Sequence, residues 1–279
     1  MSYKSLLTVL TDTQLLNEPL DQAIALAGTE DAHIDVLSLG VDRSQVGYYY
    51  AGANAMILQE TITRAQNEAE ELDALARKKL KQSDARWASD TAVAALADLG
   101  RHVALPARFS DLVILPQPYG NEQGPEVEAV VEAALFEGRA PVLVVPMGKA
   151  PFTKPKRIVV GWNQSAEALV AIRAALPLLK AADAVHIVVI DPPTHGQDRS
   201  DPGGPLSQML SRHGVHCEID VLSKTMPRVS DILNRHVTDV DADMVVMGAY
   251  GHSRLREAIL GGATRYMLEQ AKVPVFMAH

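Results

Sequence analysis

An internal repeat constrains the fold of this chain more than any other feature of its sequence. Four short apolar segments of the first half recur in the same order in the second half. The matching segments are residues 3–10 and 155–162, 31–37 and 183–189, 110–115 and 242–247, and 140–146 and 273–278. Such runs of aliphatic residues are typical of buried β-strands. A chain that presents the same strands twice is predicted to fold as two copies of one domain.

Helical patterns separate these strands. They cover residues 18–27, 56–82, 127–137, 166–179 and 229–237. Strands that alternate with helices predict βαβ units and a parallel sheet. We therefore predict an α/β protein with two tandem doubly wound, Rossmann-like domains, each with a parallel five-stranded sheet. The domains are expected at residues 1–147 and 155–279, and the connecting segment is rich in Pro, Gly and Lys.

Charge and cysteine content narrow the classes of function. The net charge is −8 and the isoelectric point about 5.6, so the basic surface that nucleic acids and anionic membranes require is not expected. Cys217 is the only cysteine, which excludes an internal disulfide and fits a reducing compartment. The sequence opens without a signal-peptide pattern, and no apolar run approaches the ~18 residues of a membrane span. We therefore expect a cytoplasmic protein with no nucleic-acid or membrane partner.

A glycine-marked segment near the end of the chain carries the clearest functional signal. A predicted strand at residues 243–247 is followed by Gly248, Gly251, Gly261 and Gly262, and a helical pattern begins at Ala263. Glycine permits positive φ and a close approach of the backbone, and the N–H groups at a helix start favour an anion. The segment is therefore predicted to bind a phosphate group.

The glycine spacing, Gly-x2-Gly-x9-Gly, resembles the nucleotide-binding signature of the universal stress protein family, with Gly248, Gly251 and Gly261 at the family's positions. Together with the repeat, the resemblance covers nearly the whole chain and indicates a tandem universal stress protein. It implies a stress-response protein that binds ATP or AMP in its second half, with Mg²⁺ accompanying ATP. Such a protein would act by conformation or through a protein partner, which the sequence does not identify.

The resemblance also has an implication for assembly. Single domains of this family often pair through their last strand, so the segments Val142–Val145 and Val275–Ala278 are expected to meet within the chain as an intramolecular pseudo-dimer. A homodimer of the whole chain stays open as a further possibility.

The candidate site follows from the resemblance and from the rule that ligands lie beyond the carboxyl ends of doubly wound strands. The predicted nucleotide-binding residues are Gly161, Trp162, Asn163, Val189, Ile190, Met247, Gly248, Ala249, Gly251, His252, Arg254, Gly261, Gly262, Ala263 and Thr264. Two of them depart from the family pattern: Asn163 stands near the family's Asp, and Gly262 replaces a Ser or Thr. Thr264, in the first helical turn, is a partial substitute for the missing hydroxyl, and Ser165 is predicted to cap the helix after Asn163.

The first half has a degenerate version of the same site. Residues 116–119 read Pro-Gln-Pro-Tyr where the second half has glycines, and proline removes backbone N–H donors. Glu122 and Glu126 follow, and their charges would repel phosphate. Asp12, after the first strand, is predicted to cap a helix. We therefore expect the first half to be a structural or partner domain.

The sequence contains little that indicates a catalytic site or a metal site. No paired carboxylates or nucleophile–base motif stand out, so we expect no catalytic residues and at most a weak ATPase. His213, His216 and Cys217 are neighbours in sequence, but His216 and Cys217 point to opposite faces of a predicted strand, and we expect no metal site. Two alternatives to a nucleotide-binding regulator remain: a nucleotide-independent interaction or scaffold protein with a vestigial pocket, and a weak ATP-hydrolysing enzyme.

Overall fold

The computed structural model describes residues 2–43, 54–120, 123–192, 201–249 and 262–279. Contacts between these residues divide the chain into two compact units, Tyr3–Val142 and Leu143–His279. The division falls inside the fifth strand, a few residues before the segment that we expected to connect two domains.

The first unit alternates strands and helices. Its elements are β1 Ser5–Leu10, α1 Asn17–Glu30, β2 His33–Asp42, α2 Asn54–Leu80, β3 Arg86–Ala95, α3 Leu99–Arg108, β4 Leu112–Pro116 and α4 Pro125–Glu132, which continues as a π-helical turn over Ala133–Glu137. The strand order is β3-β2-β1-β4, and β1 pairs in parallel with both β2 and β4. The backbone N–H of Val113 in β4 donates to Pro141, just before the fifth strand.

The second unit repeats this plan. Its elements are β5 Val142–Val145, β6 Arg157–Gly161, α5 Ala166–Ala174, α6 Leu176–Ala181, β7 Ala184–Ile190, α7 Gly204–Arg212, β8 Cys217–Leu222, α8 Val229–Asp239, β9 Met244–Gly248, α9 Ala263–Gln270 and β10 Val275–Ala278. The strand order is β5-β10-β9-β6-β7-β8, and the pairs from β10 to β8 are parallel. β5 is thus the neighbour of β10, as the family resemblance implies for these segments.

Burial explains why the sequence predicts some strands and not others. β4, β9 and β10 consist almost wholly of buried residues, because helices cover both faces of a parallel sheet. β3 and β8 stand at the ends of the strand orders and are half exposed along their length. Continuous apolar runs therefore mark the central strands, whereas β3 carries no such run.

Proline positions account for the main differences in the helices. The pattern over residues 166–179 predicts one helix, but α5 ends at Ala174 and α6 begins at Leu176, because Pro177 cannot donate the next backbone hydrogen bond. α3 contains Pro106 and α7 begins with Gly204 and Pro205, so neither is evident from periodicity. Among the described residues, no helix is both long and apolar enough to cross a membrane.

Candidate nucleotide-binding site

The carboxyl ends of three strands of the second unit meet at one edge of the sheet. β6 lies between β7 and β9, with Gly161 level with Val188 and Val160 level with Val246. The chain passes from β6 to β7 on one side and later to β9 on the other, so the order of strands reverses between β6 and β9. This reversal opens the crevice in which doubly wound sheets bind ligands. The structure thus brings together the predicted residues Gly161, Trp162, Asn163, Val189, Ile190, Met247, Gly248 and Ala249.

The start of α9 faces the same edge of the sheet. α9 leads into β10, which is parallel to β9, so the helix must begin on the carboxyl side of the strands. Gly262 is its N-cap and provides no side-chain hydrogen bond to the first turn. The N–H groups of this turn are therefore not capped by their own N-cap residue, as an anion-binding helix start requires.

Gly262 and Thr264 differ in what they offer a ligand. Gly262 has φ −58° and ψ 157°, a conformation that any residue adopts, so its glycine is not required by the backbone. Thr264 lies in the first turn of α9, as predicted, but only 3 % of it is exposed and it has an interaction partner within the protein. This burial argues against Thr264 as a substitute for the hydroxyl that the family carries at position 262.

Close packing against α5 requires a glycine at position 248. A Cβ atom at this position would lie 2.5 Å from the backbone nitrogen of Ala168 in α5. Backbone cannot move aside as a flexible side chain can, so the end of β9 and the start of α5 approach each other only without that atom. Gly161 has no such constraint, because its nearest neighbour, Leu233, would be 3.5 Å away.

Asn163 is engaged in the turn between β6 and α5. Its Oδ1 accepts a hydrogen bond of 3.1 Å from the backbone N–H of Ser165, and Ser165 Oγ accepts one of 3.1 Å from the N–H of Ala168. Ser165 is therefore the N-cap of α5, and that prediction is confirmed. Because its oxygen is occupied, the exposed Asn163 presents its amide NH₂ as a donor, whereas an aspartate would present a second acceptor oxygen.

Four of the predicted residues lie outside the described part of the chain: Gly251, His252, Arg254 and Gly261. Their roles remain predictions.

The structure also shows a contact between two side chains near α9 that the sequence did not indicate. The Arg228 guanidinium lies 3.7 Å from the centroid of the Tyr266 ring, joining the N-cap of α8 to α9. This stacking holds a positive charge close to the start of α9.

The corresponding helix of the first unit, α4, begins differently. Gly124 is its N-cap and Pro125 and Glu126 follow, at the positions that Gly262, Ala263 and Thr264 occupy in α9. Glu126 is 3 % exposed, and its Oε1 lies 2.5 Å from Nη2 of Arg43. Oε2 is buried without a hydrogen-bond partner among the described residues. A Cβ at Gly124 would stand 2.3 Å from this atom, so the carboxylate folds back against the helix start.

A cleft of about 400 Å³ lies near this carboxylate, after β1 and β2. Its lining residues are Thr11, Asp12, Thr13, Arg43, Arg64, Glu68, Glu71 and Leu72. Asp12 Oδ1 accepts a hydrogen bond of 2.8 Å from the N–H of Gln14, which confirms Asp12 as a cap. Burial alone would lower the pKa of the Arg43 guanidinium, but hydrogen bonds to Glu126 and Glu68 raise the pKa above its ordinary value. The arginine charge is thus neutralised by the protein's own carboxylates.

The second unit therefore belongs to the class of doubly wound α/β domains with a helix start at the switch point of the sheet. Residues 154–279 match the profile described as the Universal stress protein family. The second half of the chain therefore has the sequence of a universal stress protein domain.

Individual relatives agree with this assignment. Universal stress protein Slr1230 of Synechocystis sp. is 28 % identical over 96 residues, which span 33 % of this chain and 31 % of that protein. The match thus covers about a third of the relative's length. The structure of a universal stress protein from Archaeoglobus fulgidus DSM 4304 aligns with 100 % of this chain and with 96 % of its own chain. The TM-score is 0.72 and the sequence identity 16 %.

The structure of a putative universal stress protein from Pseudomonas aeruginosa UCBPP-PA14 aligns with 99 % of this chain and with 93 % of its own chain. The TM-score is 0.55 and the sequence identity 16 %. At such identities the two solved structures show the fold alone. They confirm the predicted fold class, an α/β fold with doubly wound units.

Proposed function

We propose that this chain is a cytoplasmic stress-response protein that binds one adenine nucleotide, ATP or AMP, in its second half. The observation that carries the proposal is the start of α9. It lies at the switch point of the sheet and has no carboxylate among its first residues, whereas the corresponding helix of the first half has the buried Glu126 there. A helix start favours a phosphate group, and a buried carboxylate in the same place opposes one.

The remainder of the site supports the same ligand. Trp162 and Asn163 follow β6, and Val189 and Ile190 end β7, where the family resemblance places contacts to adenine and ribose. The exposed amide of Asn163 can donate a hydrogen bond there. Mg²⁺ would enter with ATP, bound to its phosphates.

We further propose that the protein acts by conformation or by binding a partner, with no more than slow ATP hydrolysis. The described residues predicted to bind the nucleotide include a turn amide, apolar strand ends and a helix start, and none of these described residues is an evident general base for water. The partner is a protein whose chemistry the site does not specify.

Isothermal titration calorimetry with ATP and AMP, each with and without Mg²⁺, tests the proposal. We expect one nucleotide per chain. Ala263→Glu, at an exposed position of the first turn of α9, should weaken binding at least tenfold, while the equally long Ala263→Gln should change it little. No binding at millimolar nucleotide, or two equal sites, would contradict the proposal. A parallel assay with labelled ATP should show negligible turnover.

A second candidate function is a nucleotide-independent interaction protein with a vestigial pocket. It is favoured by three observations: no hydroxyl at Gly262, burial of Thr264, and engagement of the Asn163 oxygen in a turn. Mass spectrometry of small molecules released from freshly purified protein separates the two candidates, because the second predicts no adenine nucleotide among them.

A further inference from the structure

Two histidines and an aspartate of the second unit converge on one oxygen atom. His186 Nδ1 and His236 Nε2 each lie 3.0 Å from Asp220 Oδ2. The three ligand-type atoms are all within 4.8 Å of one another, and the side chains are 13 %, 12 % and 28 % exposed, respectively. The two rings are nearly perpendicular, with centroids 6.0 Å apart, so both direct a nitrogen toward the carboxylate.

The topology of the second unit explains how the three residues meet. His186 on β7 is level with Glu218 on β8, and Asp220 stands two residues further along β8, on the same face of the sheet. His236 is in the last turn of α8, the helix that follows β8. Three separate elements therefore supply the cluster, and no spacing motif in the sequence indicates it.

We propose that His186, Asp220 and His236 form a binding site for a divalent transition-metal ion, with Zn²⁺ as the reference metal. Two imidazoles and a carboxylate are the ligands of open zinc sites, in which a water takes the fourth position. Tetrahedral bonds of ~2.0–2.1 Å separate ligand atoms by roughly 3.4 Å. The two observed separations of 3.0 Å need only a small expansion to admit the ion.

The same three atoms can form either a hydrogen-bonded cluster or a metal site. Without metal, each imidazole can donate an N–H to Asp220 Oδ2, so one oxygen accepts two hydrogen bonds. When an ion lies between the three atoms, each neutral imidazole carries its proton on its other ring nitrogen, and the ion takes the place of both hydrogen bonds. Because two of the ligands are imidazoles, the site selects zinc-like metals over Mg²⁺ and Ca²⁺, which prefer oxygen.

This site is distinct from the nucleotide edge and from the histidine–cysteine segment considered in the sequence. His186 is four residues before the end of β7 at Ile190, or roughly 13 Å along the strand. Cys217 Sγ lies 3.5 Å from Ser207 Oγ, and His213 and His216 are exposed. None of these three residues is part of the cluster.

Titration of chelator-treated full-length protein with Zn²⁺, without nucleotide, tests the site by calorimetry, and Co²⁺ provides a visible absorption signature. We expect one Zn²⁺ per chain with micromolar affinity, a higher melting temperature, and tetrahedral or five-coordinate Co²⁺ bands. Asp220→Asn keeps the size and a hydrogen-bond acceptor, so the fold should persist while Zn²⁺ affinity falls at least tenfold. His236→Gln should do the same.

The double variant His213→Gln with His216→Gln is the matched control, because it removes two exposed histidines from the same unit. It should bind Zn²⁺ as the wild type does. The site is refuted if the wild type binds no Zn²⁺ at 100-fold excess, or if the control loses binding as fully as Asp220→Asn does. Retention of wild-type affinity by folded His236→Gln, checked by circular dichroism, would refute it as well.

Discussion

The last helices of the two halves both start with a glycine N-cap, but they differ in the residue two positions further on. In the first half, α4 starts with Gly124-Pro125-Glu126, and the Glu126 carboxylate folds back on the helix start and contacts Arg43. In the second half, α9 also starts with a glycine N-cap, and Thr264 stands where α4 has Glu126. The start of α4 thus has a carboxylate of the protein beside it, whereas the start of α9 is where we propose that a nucleotide phosphate binds.

This difference shows how two copies of one fold can differ in charge at the same place. A helix start must be satisfied by water, a cap or an anion. A carboxylate held by an arginine stabilises the start of α4, and under the proposed function a nucleotide phosphate does the same for α9. The strand ends agree with this division, because β4 ends in Pro116 and β9 in Gly248.

The largest expected effect concerns Gly248. Gly248→Val should lower the free energy of unfolding by about 3 kcal/mol, because its Cβ would meet the backbone of Ala168. Gly161→Ala, whose Cβ meets only Leu233 and Met247 at contact distance, should lower it by less than about 1 kcal/mol. Urea denaturation followed by circular dichroism measures both. Equal losses would show that the β9–α5 approach is not what requires the glycine.

A second variant transfers the first-half arrangement to the second half. Thr264→Glu places a carboxylate at the position that Glu126 holds in α4, and like charges in a site cost several kcal/mol. We expect nucleotide affinity to fall about a hundredfold, or ~2.7 kcal/mol. Thr264→Gln, equally long and uncharged, reports the steric part of the change. If the two variants bind nucleotide equally, charge does not distinguish the halves.

A third variant restores the hydroxyl of the family pattern. Gly262→Ser should raise ATP affinity about tenfold, because a hydrogen bond to a charged phosphate contributes ~1.5 kcal/mol or more. The φ of −58° at Gly262 means that serine enters without strain. Calorimetry should also show that AMP gains less than ATP if the hydroxyl meets the outer phosphates. Unchanged affinity for both nucleotides would favour the vestigial-pocket alternative.

Sequence patterns predicted the repeated strands because β1, β4, β6 and β9 are buried apolar runs. β3 escaped prediction because it is a half-exposed strand at the end of its sheet order, where no apolar run is needed. The break between α5 and α6 at Ala175 could have been predicted from the position of Pro177. Helix α7 could not, because Gly204 and Pro205 at its start are typical of loops.

The position of the candidate site at one edge of the sheet was predictable from the sequence, but the packing around it was not. The glycine spacing and the strand ends locate the edge, but the contact of Gly248 with α5 depends on packing between distant segments. The same holds for Glu126 with Arg43, which are 83 residues apart, and for His186 with Asp220, which are 34 apart. Single-sequence patterns report local periodicity and carry no information on such pairings.

The smallest expected effect concerns the turn after the first strand of each half. Asn163 Oδ1 accepts from the N–H of Ser165, and Asp12 Oδ1 accepts from the N–H of Gln14, so both turns are closed by the same kind of hydrogen bond. Asn163→Asp keeps that bond and replaces the exposed NH₂ by an acceptor oxygen, which a ribose hydroxyl can meet. We expect ATP affinity to rise about threefold, within the ~0.5–1.5 kcal/mol of a net hydrogen bond.

Asp12→Asn is the matched change in the first half and should leave nucleotide affinity unaltered, because that half is expected to hold no nucleotide. Calorimetry on both variants and the wild type makes the comparison at one protein concentration. If Asp12→Asn alters binding as much as Asn163→Asp does, the nucleotide depends on both halves. The presence of Glu126 at the start of α4, and of Thr264 in its place in α9, would then not decide where the nucleotide binds.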